Sequence, residues 1–158
     1  MNIRPYTPDD LAGIERLFEE RELPFDRELF LWKKRAPHSL SMIGESGGRV
    51  VAHYCVIEMP LLPSCRAGFA VDGIFAKSHS QISAIQQLIG HTAEAAADCG
   101  IQVLIAFAND RMKPVKQFLG WRPIGRYGWR RSRGAAEVGL SGPFSRTGAG
   151  SAAYEEWR

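Results

Sequence analysis

The run Lys77-Ser78-His79-Ser80-Gln81 opens a long helical pattern, and the first N–H groups of a helix are unpaired and partly positive, a receptor for an anion such as a phosphate. Ser78, Ser80 and Ser83 are small enough for a ligand to approach the backbone, and their hydroxyls donate. His79 adds charge only when protonated. Ile85 is bulkier and is an expected obstacle to that approach. The plain alternative is that Ser78 to Ser83 only cap the helix. Asn109, ahead of a shorter helical pattern, reads equally well as a cap. Arg122, Arg126, Arg130, Arg131 and Arg133 cluster further on with no acid among them. A solvated strand face is the first expectation for them, an anionic substrate the second, and nucleic acid the third.

The chain that must position these groups has 158 residues, 45% of them hydrophobic and 23% charged, the proportions of one ordinary globular domain. Such a length buries about 68–70% of the surface the unfolded chain exposes, so the core needs no disulfide or structural metal. The net charge of +3 is too small to imply a nucleic-acid or anionic-membrane partner. Cys55, Cys65 and Cys99 stand far apart, without the close pairs of a zinc site or disulfide framework. A reducing cytoplasm fits this usage, and no apolar run approaches the ~20 residues of a membrane span.

Asn2 to Tyr6 reads as a strand, followed by a helix capped at Thr7 with Pro8 in its first turn and Leu11, Ile14, Leu17 and Phe18 on one face. A second helix is expected over 26–35, closed by Ala36-Pro37. Strands over 39–45 and from Val50 onward flank the turn signal Gly47-Gly48 and predict a hairpin. Another strand covers 67–76. The long helix carries Ile82, Ile85, Leu88, Ile89 and Ala96 on one face and ends at Gly100. Ile101 to Phe107 is apolar almost throughout, as for a strand buried on both faces. A short helix reaches Leu119, Gly120 terminates it, and 121–129 resumes as a strand. Residues 1–133 form the domain, and 134–158, rich in Gly, Ala and Ser, form a loosely attached tail.

This order is α+β: a mixed, mostly antiparallel central sheet flanked by helices. Three stretches make it resemble the GNAT superfamily of N-acetyltransferases. Ile3-Arg4-Pro5 with Thr7-Pro8-Asp9-Asp10-Leu11 is similar to the opening strand and helix start. Val71-Asp72-Gly73-Ile74-Phe75-Ala76, a polar loop and a long helix occupy the place of the acetyl-CoA motif. Asn109 through Leu119-Gly120-Trp121 is similar to the closing motif. Leu31-Trp32-Lys33 and Phe107-Ala108-Asn109 resemble a less typical branch. The central motif departs from the pattern: its Arg or Gln, Gly, and Gly or Ala positions fall at Ser80, Ser83 and Ile85. A frame moved by one gives Gln81, Ala84 and Gln86.

The resemblance implies acetyl-CoA as co-substrate, without a metal, and a small-molecule or peptide amine as acceptor. It places Ile74, Phe75, Ala76, Ser78, His79, Ser80, Gln81, Ile82, Ser83 and Asn109 at the CoA. An ammonium must lose a proton before it attacks a thioester. Asp72, on the strand lining the cleft, and His53, on its neighbour, are the candidate bases, with Glu58 weaker. The tyrosine that frequently protonates the departing thiolate falls at Lys116, where an ammonium would stabilise the thiolate electrostatically; an exposed helix lysine is the bland reading. The expected function is acetyl transfer from acetyl-CoA to a primary amine, by a chain that is a possible homodimer. The alternative is a catalytically inactive module of the same shape that binds CoA or a protein.

Overall fold

The computed structural model of the chain describes residues 1–35, 39–62, 65–110, 112–124, 128–131 and 136–139. Three antiparallel pairings and one parallel pairing build its main sheet. β1 (Asn2–Pro5) pairs with β2 (Ser39–Ser46), β2 with β3 (Arg49–Leu62), and β3 with β4 (Cys65–Phe75), all antiparallel. β4 then runs parallel to β5 (Val103–Ala106), so the strand order follows the sequence order. The parallel step needs a crossover, which α3 (Ile82–Asp98) supplies.

Local chemistry accounts for the first turn. Thr7 caps a 3₁₀ turn over Pro8–Asp10 that runs into α1 (Leu11–Glu20), and its N–H donates to Asp10 Oδ2 at 2.8 Å. Arg4 on β1 grips both oxygens of the same carboxylate at 2.7 and 2.8 Å and reaches Glu45 on β2. These hydrogen bonds hold the buried Asp10 carboxyl below its ordinary value. α2 (Arg27–Arg35) follows, and the two helices cover one face of the sheet through Ile14, Leu17 and Phe30.

The other face is covered by α3 and by α4 (Met112–Phe118), which enclose Tyr54, Val56, Phe75, Ile85, Leu88, Ile89 and Ala96. A Leu or Ile buried as fully as Leu88 contributes roughly 1.5–3 kcal/mol. Successive residues of β3 therefore serve different cores. His53, Cys55 and Ile57 look toward α1 and α2, while Ala52, Tyr54 and Val56 look toward α3 and α4.

Several sequence expectations are corrected. β5 is shorter than expected and is not buried on both faces, since Val103 is 46% exposed and Phe107, just beyond it, 60%. Among the described residues β5 is the edge of the sheet, so no further strand covers that side. Trp121–Ile124 is not strand, because Gly120 turns the chain back across α4. Among the described residues that follow, Gly128–Arg131 (β6) is strand and pairs antiparallel with Ala136–Gly139 (β7). Arg126, Arg133 and the rest of the tail lie outside the described residues. Among those described, no helix is long and apolar enough to cross a membrane, and no group of three His, Cys, Asp or Glu is placed to hold a metal.

Candidate functional site

The parallel pairing of β4 with β5 stops at Ala70 and Ala106, yet β4 continues to Phe75. From Val71 onward β4 is paired only with β3, and an opening runs along its other edge. Ala76 donates its N–H to Val51 O at 2.8 Å, which makes Phe75 and Ala52 a non-bonded pair. The Phe75 N–H and C=O therefore face the opening. Ile74, Phe75 and Ala76 bury their side chains, and of the three it is Phe75 that turns its backbone N–H and C=O to the opening.

Beyond Ala76 a 3₁₀ turn over Lys77–His79 leads to Gln81, the N-cap of α3. Ser78, Ser80, Gln81, Ile82 and Ser83 are exposed and His79 is half-buried, so the first turn of α3 is open to a ligand. The expected obstruction by Ile85 is absent: that side chain is 6% exposed and packs into the core on the opposite side of the helix. Ser78 Oγ bonds His79 Nδ1 and Ser80 Oγ donates to Lys77 O, so two of the hydroxyls have local partners. Asn109 caps α4, its Oδ1 accepting from Met112 N at 2.9 Å.

Lys116 is not the exposed helix lysine of the bland reading. It is 8% exposed, its Nζ donates to Tyr54 Oη at 2.8 Å, and it lies 3.8 Å from the centre of the Trp121 ring. The cause is local. Gly120 takes the left-handed conformation at φ 83°, Trp121 N–H bonds Lys116 O, and Gly120 N–H bonds Gln117 O. That helix ending folds the indole back over the lysine. Burial lowers the Lys116 ammonium to about 8 and raises the Tyr54 phenol.

Opposite Tyr54 the β3–β4 register shifts, because β4 carries one extra residue between Val71 and Ile74. Both Val71, against Cys55 and Ile57, and Asp72 then face the α2 side, a re-aiming typical of a bulge. Asp72 takes φ 51°, a left-handed conformation that Asp tolerates better than most residues. Lys33 Nζ holds its Oδ1 at 2.7 Å, while Oδ2 is buried without a hydrogen-bond partner among the described residues.

His53 is fully buried beside it. A carbonyl only accepts, so the 2.8 Å contact with Asp72 O puts the imidazole hydrogen on Nδ1. Nε2 accepts from Ser41 Oγ at 2.8 Å or from Lys34 Nζ at 3.2 Å. Burial and the Lys34 charge lower His53 to about 3. Burial also lowers Lys34, which lies over the Phe30 ring. His53 thus has both nitrogens engaged in the interior, and the structure brings together Asp72 with His53, but Lys116 with Tyr54. Glu58 is taken by Arg66 at 2.6 Å, away from both. Sequence reasoning met Lys33 and Trp121 only inside motifs, without a site role, and missed Tyr54. The signal for Tyr54 was Gly73: a Cβ there would lie 2.9 Å from the Tyr54 ring, and a glycine inside a strand marks such a close approach.

No protein-family model and no curated protein matches the sequence. Solved structures do. A GCN5-related N-acetyltransferase from Ralstonia eutropha matches with a TM-score of 0.68 at 22% identity, over 84% of this chain and 99% of that one. An acetyltransferase from Trypanosoma brucei matches with a TM-score of 0.65 at 19% identity, over 79% and 94%. The aminoglycoside N-acetyltransferase AAC(6')-Iy, in complex with the bisubstrate analog CoA-S-monomethyl-acetylneamine, matches with a TM-score of 0.70 at 17% identity, over 84% and 97%. At these identities the likeness is one of architecture, and the chain has the fold of the GNAT acetyltransferases.

Proposed function

We propose that this protein is an acetyl-CoA-dependent N-acyltransferase that moves an acetyl group to a primary amine. The observation that carries the reading is the opening between β4 and β5, with the exposed first turn of α3 at one end and the Tyr54–Lys116 pair beside it. The α3 N-terminus receives the pyrophosphate through the backbone of Ser78 to Ser83. The Phe75 backbone and the Asn109 end of α4 flank the pantetheine arm. Asp72 takes the proton of the incoming ammonium on Oδ2, the oxygen that Lys33 leaves free. His53 is a positioning residue, fixing the strained Asp72 backbone through its Nδ1–H. Lys116 stands at the sulfur. The solved relative with the bisubstrate analog supports a small amine as acceptor, since that ligand joins CoA to an aminoglycoside fragment.

Calorimetry and thermal melting with acetyl-CoA test the reading. Ligand at 100 times its dissociation constant should stabilise the fold by about 2.7 kcal/mol. Ser83→Gly should bind as well or better, because the pyrophosphate needs only backbone approach there. Absence of heat with either version would overturn the proposal. Binding without thiol release in the presence of primary amines would favour a non-catalytic CoA-binding module, the reading that the missing glycines of the loop support.

A further inference from the structure

The ion pair between α2 and β4 is incomplete at both ends. Lys33 Nζ gives one of its three hydrogens to Asp72 Oδ1 at 2.7 Å and has no other partner among the described residues. Asp72 Oδ2 is buried and accepts from none of them. A buried acceptor without a donor costs stability that a ligand can restore. Only the width of one carboxylate separates the spare donors from the spare acceptor. The pair is shielded without being sealed, since its side chains are 19% and 17% exposed. His53 fixes the left-handed Asp72 backbone, on the stretch of β4 that lies beyond the last β5 pairing.

Charge decides what fits there. Lys34 is the next cation, across the His53 ring from the Asp72 carbonyl, and neither lysine bonds a second carboxylate among the described residues. An acceptor that brings only ammonium groups adds positive charge beside both lysines and leaves the spare Lys33 donors unused. One that brings a carboxylate next to its ammonium adds no net charge and satisfies both ends. We propose, resting on the acyltransferase reading, that the acceptor is an α-amino acid, with its ammonium on Asp72 Oδ2 and its carboxylate on Lys33 Nζ. The ammonium gives one proton to Oδ2, and the freed nitrogen forms the C–N bond as the C–S bond breaks with its electron pair on sulfur. Of the two protons that nitrogen loses in all, one ends on the CoA thiol and one passes from Asp72 to solvent. The acetylated product keeps its carboxylate but has no ammonium, so the restored Asp72 charge repels it and favours release.

The standard amino acids are the probes, with acetyl-CoA as donor. Each one that releases CoA thiol is compared with the amine left by its decarboxylation, such as phenethylamine for phenylalanine or isobutylamine for valine. kcat/KM should be about 30-fold higher for the amino acid, the size of one hydrogen bond between charged groups. Lys33→Gln keeps a donor to Oδ1 and removes the charge, so it should bring the two to within about threefold of each other. The ratio is taken within one protein, so any loss of folded material cancels. An unchanged ratio in Lys33→Gln overturns the inference, as does a decarboxylated amine that is the better acceptor in the unaltered protein. Calorimetric binding of acetyl-CoA with no amino acid turned over also overturns it and leaves the acyltransferase reading in place. Failure of the unaltered protein to bind acetyl-CoA overturns both.

Discussion

His53 and Tyr54 are neighbours on one strand, yet they face two different interiors. On the α1–α2 side, His53 has both ring nitrogens satisfied and sits in a network of Ser41, Lys34 and the Asp72 backbone. On the α3–α4 side, Tyr54 and Lys116 form a two-member polar pair in a core that is otherwise apolar, with the phenol hydrogen to spare. The closed network fixes a backbone, whereas the incomplete pair has something left to give a ligand. Burial alone does not mark a reactive group.

The largest expected effect separates the two sides by pH. His53 titrates near 3 in the fold against an ordinary 6.5, so between those values the unfolded chain takes up a proton that the folded chain refuses. Stability is complete above about pH 6.5 and falls as pH drops, by about 5 kcal/mol in all. Asp10, held down by Arg4, acts in the same direction in acid. Urea midpoints at successive pH values should show this slope, and His53→Gln should flatten it; equal slopes would remove His53 as the acid-sensitive group.

A smaller effect is expected at the crossing of Tyr54 over β4. Gly73→Ala places a methyl 2.9 Å from the ring and should destabilise by about 2 kcal/mol while weakening the bond to Lys116. An unchanged melting temperature would show that the ring gives way freely and that the Tyr54–Lys116 hydrogen bond is not held by β4.

The smallest effect has the opposite sign. Lys116→Met should stabilise the protein by about 1 kcal/mol at pH 7, since the cost of burying the ammonium exceeds its hydrogen bond and its contact with Trp121. The folded chain binds fewer protons than the unfolded one between about 8 and 10.5, so the unaltered protein gains stability as pH rises through that window. The advantage of Met should be gone by pH 10.5. A loss of stability at pH 7 would make Lys116 a structural lysine.

What the sequence determined is what a few consecutive residues settle among themselves. Thr7 with Pro8 and Asp10 starts a helical turn through bonds within four residues. Gly47 and Gly48 reverse a hairpin, and the 3.6-residue spacing of Ile85, Leu88, Ile89 and Ala96 gives α3 its buried face. The same regularity made 82–85 legible as a helix start, though not that Ile85 turns inward and leaves that start open. The tertiary structure decided the chemistry. Whether β4 pairs with β5 beyond Ala70, whether one extra residue turns Asp72 toward Lys33, and whether Lys116 meets a phenol 62 positions away are outcomes of packing between distant segments. A lysine and a tyrosine carry no sign of each other in sequence. Their pairing follows from the space that Gly73 leaves and the fold-back at Gly120, which act together only once β3, β4 and α4 have assembled.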